Sequence, residues 1–576
     1  MWPRILRCVE EQRPAAPVAA RIPVAYRLGF AAYYVAVLAV GVALGVRIVV
    51  DGYSPIPHSD LWGFFDFIEP ALRGDVGLGD LWAQWNEHRF LLARIQFLVD
   101  YRFFDGTNTY LFAWIATSCL LLAGTFATAV WLETRDWLVA LGALAVAGTT
   151  ALPLAGVENL TLAVQVQFVQ VFLWSAVAIL AVVLAARSTV TSRQAIGSGV
   201  AAVTAIIATY SLANGLIAWA VVVALAVALR LDGRCTAALV GVGLATAASY
   251  LYRFEFVEER TLWDPVGLFH YVALYLGAAP TPNPGSAAIV GTVGVVLLLI
   301  LCRLFWSHRS GHSVLVPFGA GVAVFIALTA AQTATGRLEL GVTQALSSRY
   351  SIASYTFWMA LFVGFLPFVR QRLRSTPLAL PGCLAAVGAV ALALSYAALP
   401  TSGQLRSLVI GREATVVAYR AGVEDDSLTI PSVKGSPGIT RALRFMEREG
   451  LGPWAPGGPS VATRVPKPAQ SADRNCLGRV EVTTRLRLGS SLRGWIAAPV
   501  STSTSPHLVV LDASGRRVGF GLVGFESPGV DRPDILDPHR SGFVAYVRGR
   551  PSPPLDVTLL ADDRAARCRL RWGANA

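Results

Sequence analysis

Long apolar runs separated by short polar breaks dominate the first 400 positions of the chain. A helix needs about 20 apolar residues to cross a hydrocarbon layer roughly 30 Å thick. Eleven segments suit that role, at 28–50, 109–132, 137–153, 164–186, 195–212, 214–231, 235–256, 286–305, 314–334, 350–369 and 378–398. The breaks between them alternate in character. One set is short and arginine-bearing: Arg4, Arg7, Arg13, Arg21 and Arg27, then Arg135, then Arg187 and Arg193, then Arg230 and Arg234, then Arg303 and Arg309, then Arg370, Arg372 and Arg374. Short basic loops mark the cytoplasmic side of a membrane protein, which places the N-terminus inside. The other set, 51–108, 154–163, 257–285, 335–349 and everything after 399, is mixed in charge and faces outward. Parity puts the C-terminus outside. Leu268–Pro280 is apolar but too short to span, and reads as re-entrant or interfacial; the Ser211–Gly215 break splits a run too long for one crossing.

The expected organisation is a cytoplasmic segment over 1–27, a polytopic α-helical membrane domain over 28–399 with its long outer loop at 51–108, an outer helical and linker region over 400–475, and a β-sandwich-like domain over 476–576. Arg441–Glu449 reads as a polar helix, and the Pro-, Gly- and Ser-rich stretch 452–472 as a linker. Beyond Cys476, period-two alternation takes over. Val480, Val482, Thr484, Leu486 and Leu488 share one face of a strand, Cys568, Leu570 and Trp572 one face of another, and Val509–Asp512 with Val518–Leu522 read as a hairpin around Ala513–Arg516. Cys476 and Cys568 bracket this domain, and in an oxidising compartment such a pair is expected to join; the alternative is two buried free thiols.

Composition agrees with the membrane reading. Hydrophobic residues make up 54% of the chain and charged ones 15%, against roughly 25% charged in a soluble domain, and the mean hydropathy is +0.55. A single soluble domain is excluded. The formal charge of +12, from 48 Lys+Arg against 36 Asp+Glu, follows the loops, so the bases meet membrane lipids and nucleic acid is not a partner. Seven cysteines form no CxxC or Cys/His cluster, so no zinc site is suggested, and the N-terminus carries no cleavable signal with a small-residue cleavage site.

The polar residues crowd the outward set. The first outer loop holds Asp60, Glu87, His88 and Arg89 among aromatic residues that suit the interface, including Trp62, Trp82 and Trp85. Other outer segments bring Glu158 and Asn159, Arg337, and Arg349 with Tyr350. Glu158, Asn159, Gln165, Gln167 and Gln170 form a polar stripe, with Gln167 and Gln170 on one helix face. These side chains either line a substrate cavity or hydrogen-bond between helices.

The order of Ile56-Pro57-His58-Ser59-Asp60-Leu61-Trp62, an acidic residue just past the outer end of the first span, then Gly77-Leu78-Gly79-Asp80-Leu81-Trp82, then Trp85-Asn86-Glu87-His88-Arg89-Phe90 before the second span, resembles the GT-C superfamily. Its members are polytopic glycosyltransferases that take sugars from polyprenyl-phosphate carriers. The Asn-Glu-His-Arg quartet departs from the His-Pro-Pro or Lys-Pro forms of protein mannosyltransferases and lipid A aminoarabinose transferases, so the resemblance names no sugar. An outer β domain after the last span also looks like the arabinofuranosyltransferases of actinobacterial envelopes.

The resemblance implies displacement at an anomeric carbon. An acceptor hydroxyl needs a base as it attacks, and Asp60 takes that role; the alternative makes Asp60 the N-cap of a surface helix starting at Leu61. The leaving lipid phosphate calls for guanidinium donors near the outer headgroups, with Arg349 first and Arg337 second; snorkelling to ordinary headgroups is the alternative for both. Glu87, His88 and Arg89 would bind the acceptor sugar or position Asp60, or else form a salt-bridged turn, while Glu158, Asn159 and Gln167 contribute to substrate binding. A divalent cation between His88 and Asp60 is conceivable, but two ligands do not define a metal site.

The expected activity is therefore transfer of a sugar from a polyprenyl-phosphate donor to an envelope glycan or lipid acceptor, on the outer side of the cytoplasmic membrane. The competing readings are a transporter or flippase of lipid-linked saccharides, and a glycan polymerase or ligase. Transport is disfavoured by polar groups gathered on one face, without internal repeats or a charged pair at mid-membrane.

Overall fold

A computed structural model describes residues 22–256, 264–279, 281, 283–308, 312–373, 375–425, 436–458, 476–496, 507–525, 541–549, 553–560 and 566–573. Arg4, Arg7, Arg13, Arg21, Arg309 and Arg374 lie outside the described residues, as does most of the linker.

Each of the eleven apolar segments contains a helix. These are α1 Val24–Asp51, α5 Thr109–Thr134, α6 Trp137–Ala151, α8 Val166–Ala186, α9 Thr191–Ser211, α10 Gly215–Ala228, α11 Gly233–Leu251, α13 Pro284–His308, α14 Leu315–Arg337, α15 Ser351–Arg372 and α16 Ala379–Ala397. Among the described residues, nine helical segments are long and apolar enough to cross a membrane, whereas α6 and α10 are shorter. At 1.5 Å per residue, the 15 and 14 residues of α6 and α10 reach only about 22 Å. The segments Ala163–Ala186 and Leu315–Leu340 are 78% and 72% buried and form the centre of the bundle, while α11 and α13 are 22% buried and peripheral.

The two ends of the bundle are chemically distinct. At one end Arg27 bonds Asp136 at 3.1 Å, and Glu133 accepts from the Val314 amide at 2.7 Å, so three of the arginine-bearing breaks meet there. At the other end lie the surface helices of the first long loop: α2 Phe65–Arg73, α3 Leu78–Trp82 and α4 Leu91–Phe103, followed further along the chain by α7 Val157–Thr161. The apolar stretch that begins at Leu268 overlaps the 13-residue helix α12, Pro265–Gly277. Its backbone approaches α13 so closely that a β-carbon at Gly291 would stand 1.8 Å from the Ala273 carbonyl oxygen, the close contact small residues permit between helices. Its last turn is buried, with the Leu276 carbonyl accepting from Ser354 Oγ and Trp358 Nε1.

After the last apolar helix come α17 Ser402–Ala421 and α18 Ser436–Glu449. α18 covers the predicted Arg441–Glu449 helix and docks on α2. Ile439, Ala442, Leu443, Phe445 and Met446 are buried, and Arg441 bridges Asp66 and Glu69.

The C-terminal domain corrects the sandwich expectation. Its strands are β1 Gly478–Leu486, β2 Gly489–Ile496, β3 His507–Leu511, β4 Arg517–Phe525, β5 Gly542–Arg548, β6 Leu555–Leu560 and β7 Ala566–Trp572. They form one antiparallel sheet in the order β1-β2-β5-β4-β3-β6-β7. The sheet curls into a half-barrel whose outer strands approach one another, where Cys476 and Cys568 form a disulfide with a Cα–Cα distance of 5.1 Å and the Cys476 amide donates to the Arg569 carbonyl at 2.8 Å. Curling lets one sheet bury its own concave face, with Leu492, Val510, Ala545, Val557 and Leu570 inside, so no second sheet is needed. On the outer face β4 and β5 pack against α17.

Candidate functional site

The first long loop, 51–108, enters through a strained turn. Ser59 has φ +58°, a conformation that costs a non-glycine residue of order 1–3 kcal/mol and clusters at functional sites. It opens the 3-10 turn Ser59–Trp62, with Asp60 inside it and no side-chain cap. No α-helix starts at Leu61, so the N-cap alternative for Asp60 does not hold. The turn packs against Ala163–Gln165 and against α18.

Downstream, Trp85 and His88 pair through two backbone hydrogen bonds, at 2.8 and 3.0 Å. Asn86 in the left-handed region makes the tight turn between them, a conformation asparagine tolerates. Glu87 at the turn tip stands 3.5 Å from Arg337 Nη2 and 4.0 Å from His88 Nε2. Burial pushes the His88 imidazole down to about 4, with Glu87 opposing and Arg337 reinforcing the shift. Among the described residues no group of three metal-ligating side chains occurs.

Arg89 departs from its expected role as a substrate ligand. It is 4% exposed, and its nitrogens donate to the carbonyls of Tyr250, Trp82 and Tyr252, while its amide donates to the Tyr250 hydroxyl. Helix C-termini leave carbonyls unsatisfied, and Arg89 satisfies those at the ends of α3 and α11. Arg94 does the same for Leu81 and Ala83. Both are staples that hold the loop in place.

A second cluster forms where α7 meets the turn before α15. Glu158 accepts from Ser347 Oγ at 3.0 Å and Ser348 Oγ at 3.1 Å, and its carboxylate lies 4.0 Å from Arg349 Nε. Asn159 is fully buried and donates to the Arg349 carbonyl at 2.8 Å. Arg349 also lies over the Tyr350 ring. Gln344 joins α12 to this turn, accepting from the Tyr271 hydroxyl and donating to the Tyr350 hydroxyl at 3.3 Å, and Tyr275 packs on Tyr350 with ring centroids 4.9 Å apart.

Tyr271 connects the two clusters, because both Arg337 and Arg349 lie within electrostatic range of its hydroxyl. Thus Glu87, His88, Arg337, Arg349, Glu158 and Asn159 gather at one end of the bundle. Asp60 reaches the same region through the Val157–Gln165 connection, whose first part carries Glu158 and whose last part supports the Asp60 turn. The polar stripe divides: Gln170 bonds Gln96 at 2.8 Å, an interhelical tie, whereas Gln167 is buried with its Oε1 unpartnered among the described residues. Tyr271 was not singled out from sequence; the signal was the Tyr271–Tyr275 spacing, which puts both rings on one face of a short helix.

The glutamate–arginine separations of 3.5 and 4.0 Å exceed the 2.7–2.9 Å or so of a tight charge-assisted hydrogen bond. Each guanidinium therefore keeps donors for an oxyanion, while the hydroxyls and carboxylates around them suit a polyhydroxylated ligand. Comparison with family models, curated proteins and solved structures finds no match to this chain.

Proposed function

We propose that the protein is a polytopic membrane glycosyltransferase that moves a sugar from a polyprenyl-phosphate donor to an envelope glycan or lipid acceptor. One observation carries this reading: two loosely paired arginines, Arg337 and Arg349, converge with Glu87 and Glu158 around Tyr271, beside the connection that supports the strained Asp60 turn.

In this reading the membrane domain is N-in/C-out with eleven spans in the cytoplasmic membrane. The Arg27–Asp136 end is cytoplasmic and the Glu158–Ser348 end extracytoplasmic. Arg349 and Arg337 hold the departing phosphate, exchanging part of their contact with glutamate for phosphate oxygens. Asp60 accepts the acceptor's hydroxyl proton as the new glycosidic bond forms and the bond from the anomeric carbon to the phosphate oxygen breaks. Glu158 and Gln167 bind sugar hydroxyls, Asn159 holds the Arg349 backbone beside them, and the Trp85–His88 turn shapes the acceptor side.

The test is an Asp60→Asn variant, reconstituted with synthetic polyprenyl-phosphate sugars and acceptor glycans. Loss of transfer with preserved unfolding behaviour supports Asp60 as base, and full turnover removes it. Movement of intact lipid-linked sugar across the vesicle wall without new glycosidic bonds would favour a flippase. For sidedness, cysteines introduced at Ser59 and Ser188 are labelled from outside only at position 59.

A further inference from the structure

Arg412, on α17 just past the last apolar helix, is only 2% exposed. Its Nη1 donates to the Gly52 carbonyl at 3.0 Å, while Nε and Nη2 are buried without a hydrogen-bond partner among the described residues. No carboxylate pairs with it among those residues, in contrast to Arg337 and Arg349. Desolvation alone pushes its guanidinium down to about 10, still charged at neutral pH. Desolvation, with the Arg412 charge adding to it, pushes the imidazole of His58, two residues before Asp60, down to about 4.

A buried cation without a counter-charge costs several kcal/mol, and buried donors left unsatisfied in a native protein point to a bound water or ion. A neighbouring lysine or arginine would only add repulsion, and the neutral His58 supplies no negative charge. A water can satisfy N–H groups but leaves the charge uncompensated; an oxyanion does both, and guanidinium N–H groups suit phosphate geometry. A cleft of about 250 Å³ opens beside this junction, lined in part by Tyr53 and Ser54 from the loop and by Val409 and Glu413 from α17. Arg412 stands behind that lining and ties α17 to the loop through the Gly52 carbonyl.

We propose that Arg412 is the core of an oxyanion-binding site between α17 and the Gly52–His58 segment, taking a phosphate group. This inference concerns binding and does not depend on the transfer reaction. The phosphate belongs either to a soluble ion or to a lipid.

The full-length protein in neutral detergent is heated with increasing inorganic phosphate against chloride of equal ionic strength, and in nanodiscs with or without polyprenyl phosphate. Phosphate is expected to raise the unfolding midpoint of the wild type by about 2–4 °C over chloride, and Arg412→Gln to abolish that difference. A rise with the lipid alone assigns the site to a lipid phosphate; a rise with both assigns it to phosphate in general. Because Arg412→Gln loses the Gly52 tie and could fail to fold, the wild-type His58 resonance, assigned with His58→Gln, gives a second readout. Bound phosphate offsets the Arg412 charge and raises the His58 titration midpoint. Identical midpoints and an unmoved His58 titration in chloride, inorganic phosphate and polyprenyl phosphate would overturn the proposal and leave water as the occupant, as would an equal phosphate effect in a folded Arg412→Gln protein.

Discussion

A β-carbon on Gly156 would stand 1.8 Å from the carbonyl oxygen of Ser348, and Gly156 has φ +98°. The Glu158 cluster therefore depends on a residue with no side chain two positions earlier. Gly156→Ala combines backbone strain of roughly 1–3 kcal/mol with overpacking of similar size. The expected result is a lower unfolding midpoint and a loosened Ser347–Arg349 turn. An unchanged midpoint would show that this junction yields easily.

The Arg349–Glu158 and Arg337–Glu87 pairs are each more than a third exposed on at least one side, and such pairs contribute about 0–1 kcal/mol to stability. Arg349→Gln and Arg337→Gln should leave unfolding nearly unchanged while lowering sugar transfer about tenfold or more, equivalent to roughly 1.4 kcal/mol at the transition state. Equal losses in stability and transfer would make both arginines structural.

Two groups of the first long loop, Asp100 and His58, give opposite pH dependences. Asp100 is fully buried and accepts from the Asn108 and Tyr110 amides at the start of α5; burial pushes its carboxyl up to about 7 against those bonds. Its contribution to stability is complete below the unfolded value of 3.8 and is lost as pH rises through about 7. His58 has the reverse sign: its contribution is complete above 6.5 and is lost as pH falls through about 4. In urea unfolding between pH 5 and 8, Asp100→Asn should gain stability relative to wild type as pH rises. A difference that stays flat would remove Asp100 from the pH response.

The Cys476–Cys568 disulfide closes a loop with a sequence separation of 92 residues. Loop-closure entropy puts its contribution at roughly 4.6 kcal/mol, with measured values for native disulfides of about 2–5 kcal/mol. The double serine variant should unfold its β domain at lower temperature, read by tryptophan fluorescence or by proteolysis after β2. A midpoint identical to wild type would mean that the hydrogen bonds between the outer strands suffice.

The helices were legible because a membrane-spanning run is long and nearly uninterrupted. Where an apolar run is dense, however, hydropathy does not fix helix length, so α6 and α10 are shorter than the segments that contain them. The β domain was harder to read. Val480, Val482, Thr484, Leu486 and Leu488 do not share one face, because a register shift between Val480 and Val482 resets the alternation, and Leu488 lies in the following turn with φ +68°. Bulges of this kind are common at sheet edges and invisible to a simple period-two count. In the candidate site, Glu158, Asn159, Arg337 and Arg349 could be named because charged and amide residues at the ends of apolar runs are conspicuous. Arg89 misled because a buried arginine bonded to carbonyls looks, in sequence, like one reserved for a ligand. Arg412 gave no signal, since α17 carries several charged residues among its apolar ones and the environment of Arg412 is set by a glycine 360 positions earlier.

The docking of α18 on α2 bears on how this polypeptide can be handled. Cutting the chain near residue 400 would strip Asp66 and Glu69 of Arg441 and bare the apolar surface now beneath Ile439, Leu443 and Met446. The released membrane half would be adhesive and imperfectly closed, and its tail would have lost its foundation. Expression trials that divide the two would thus assay fragments of a shared interior.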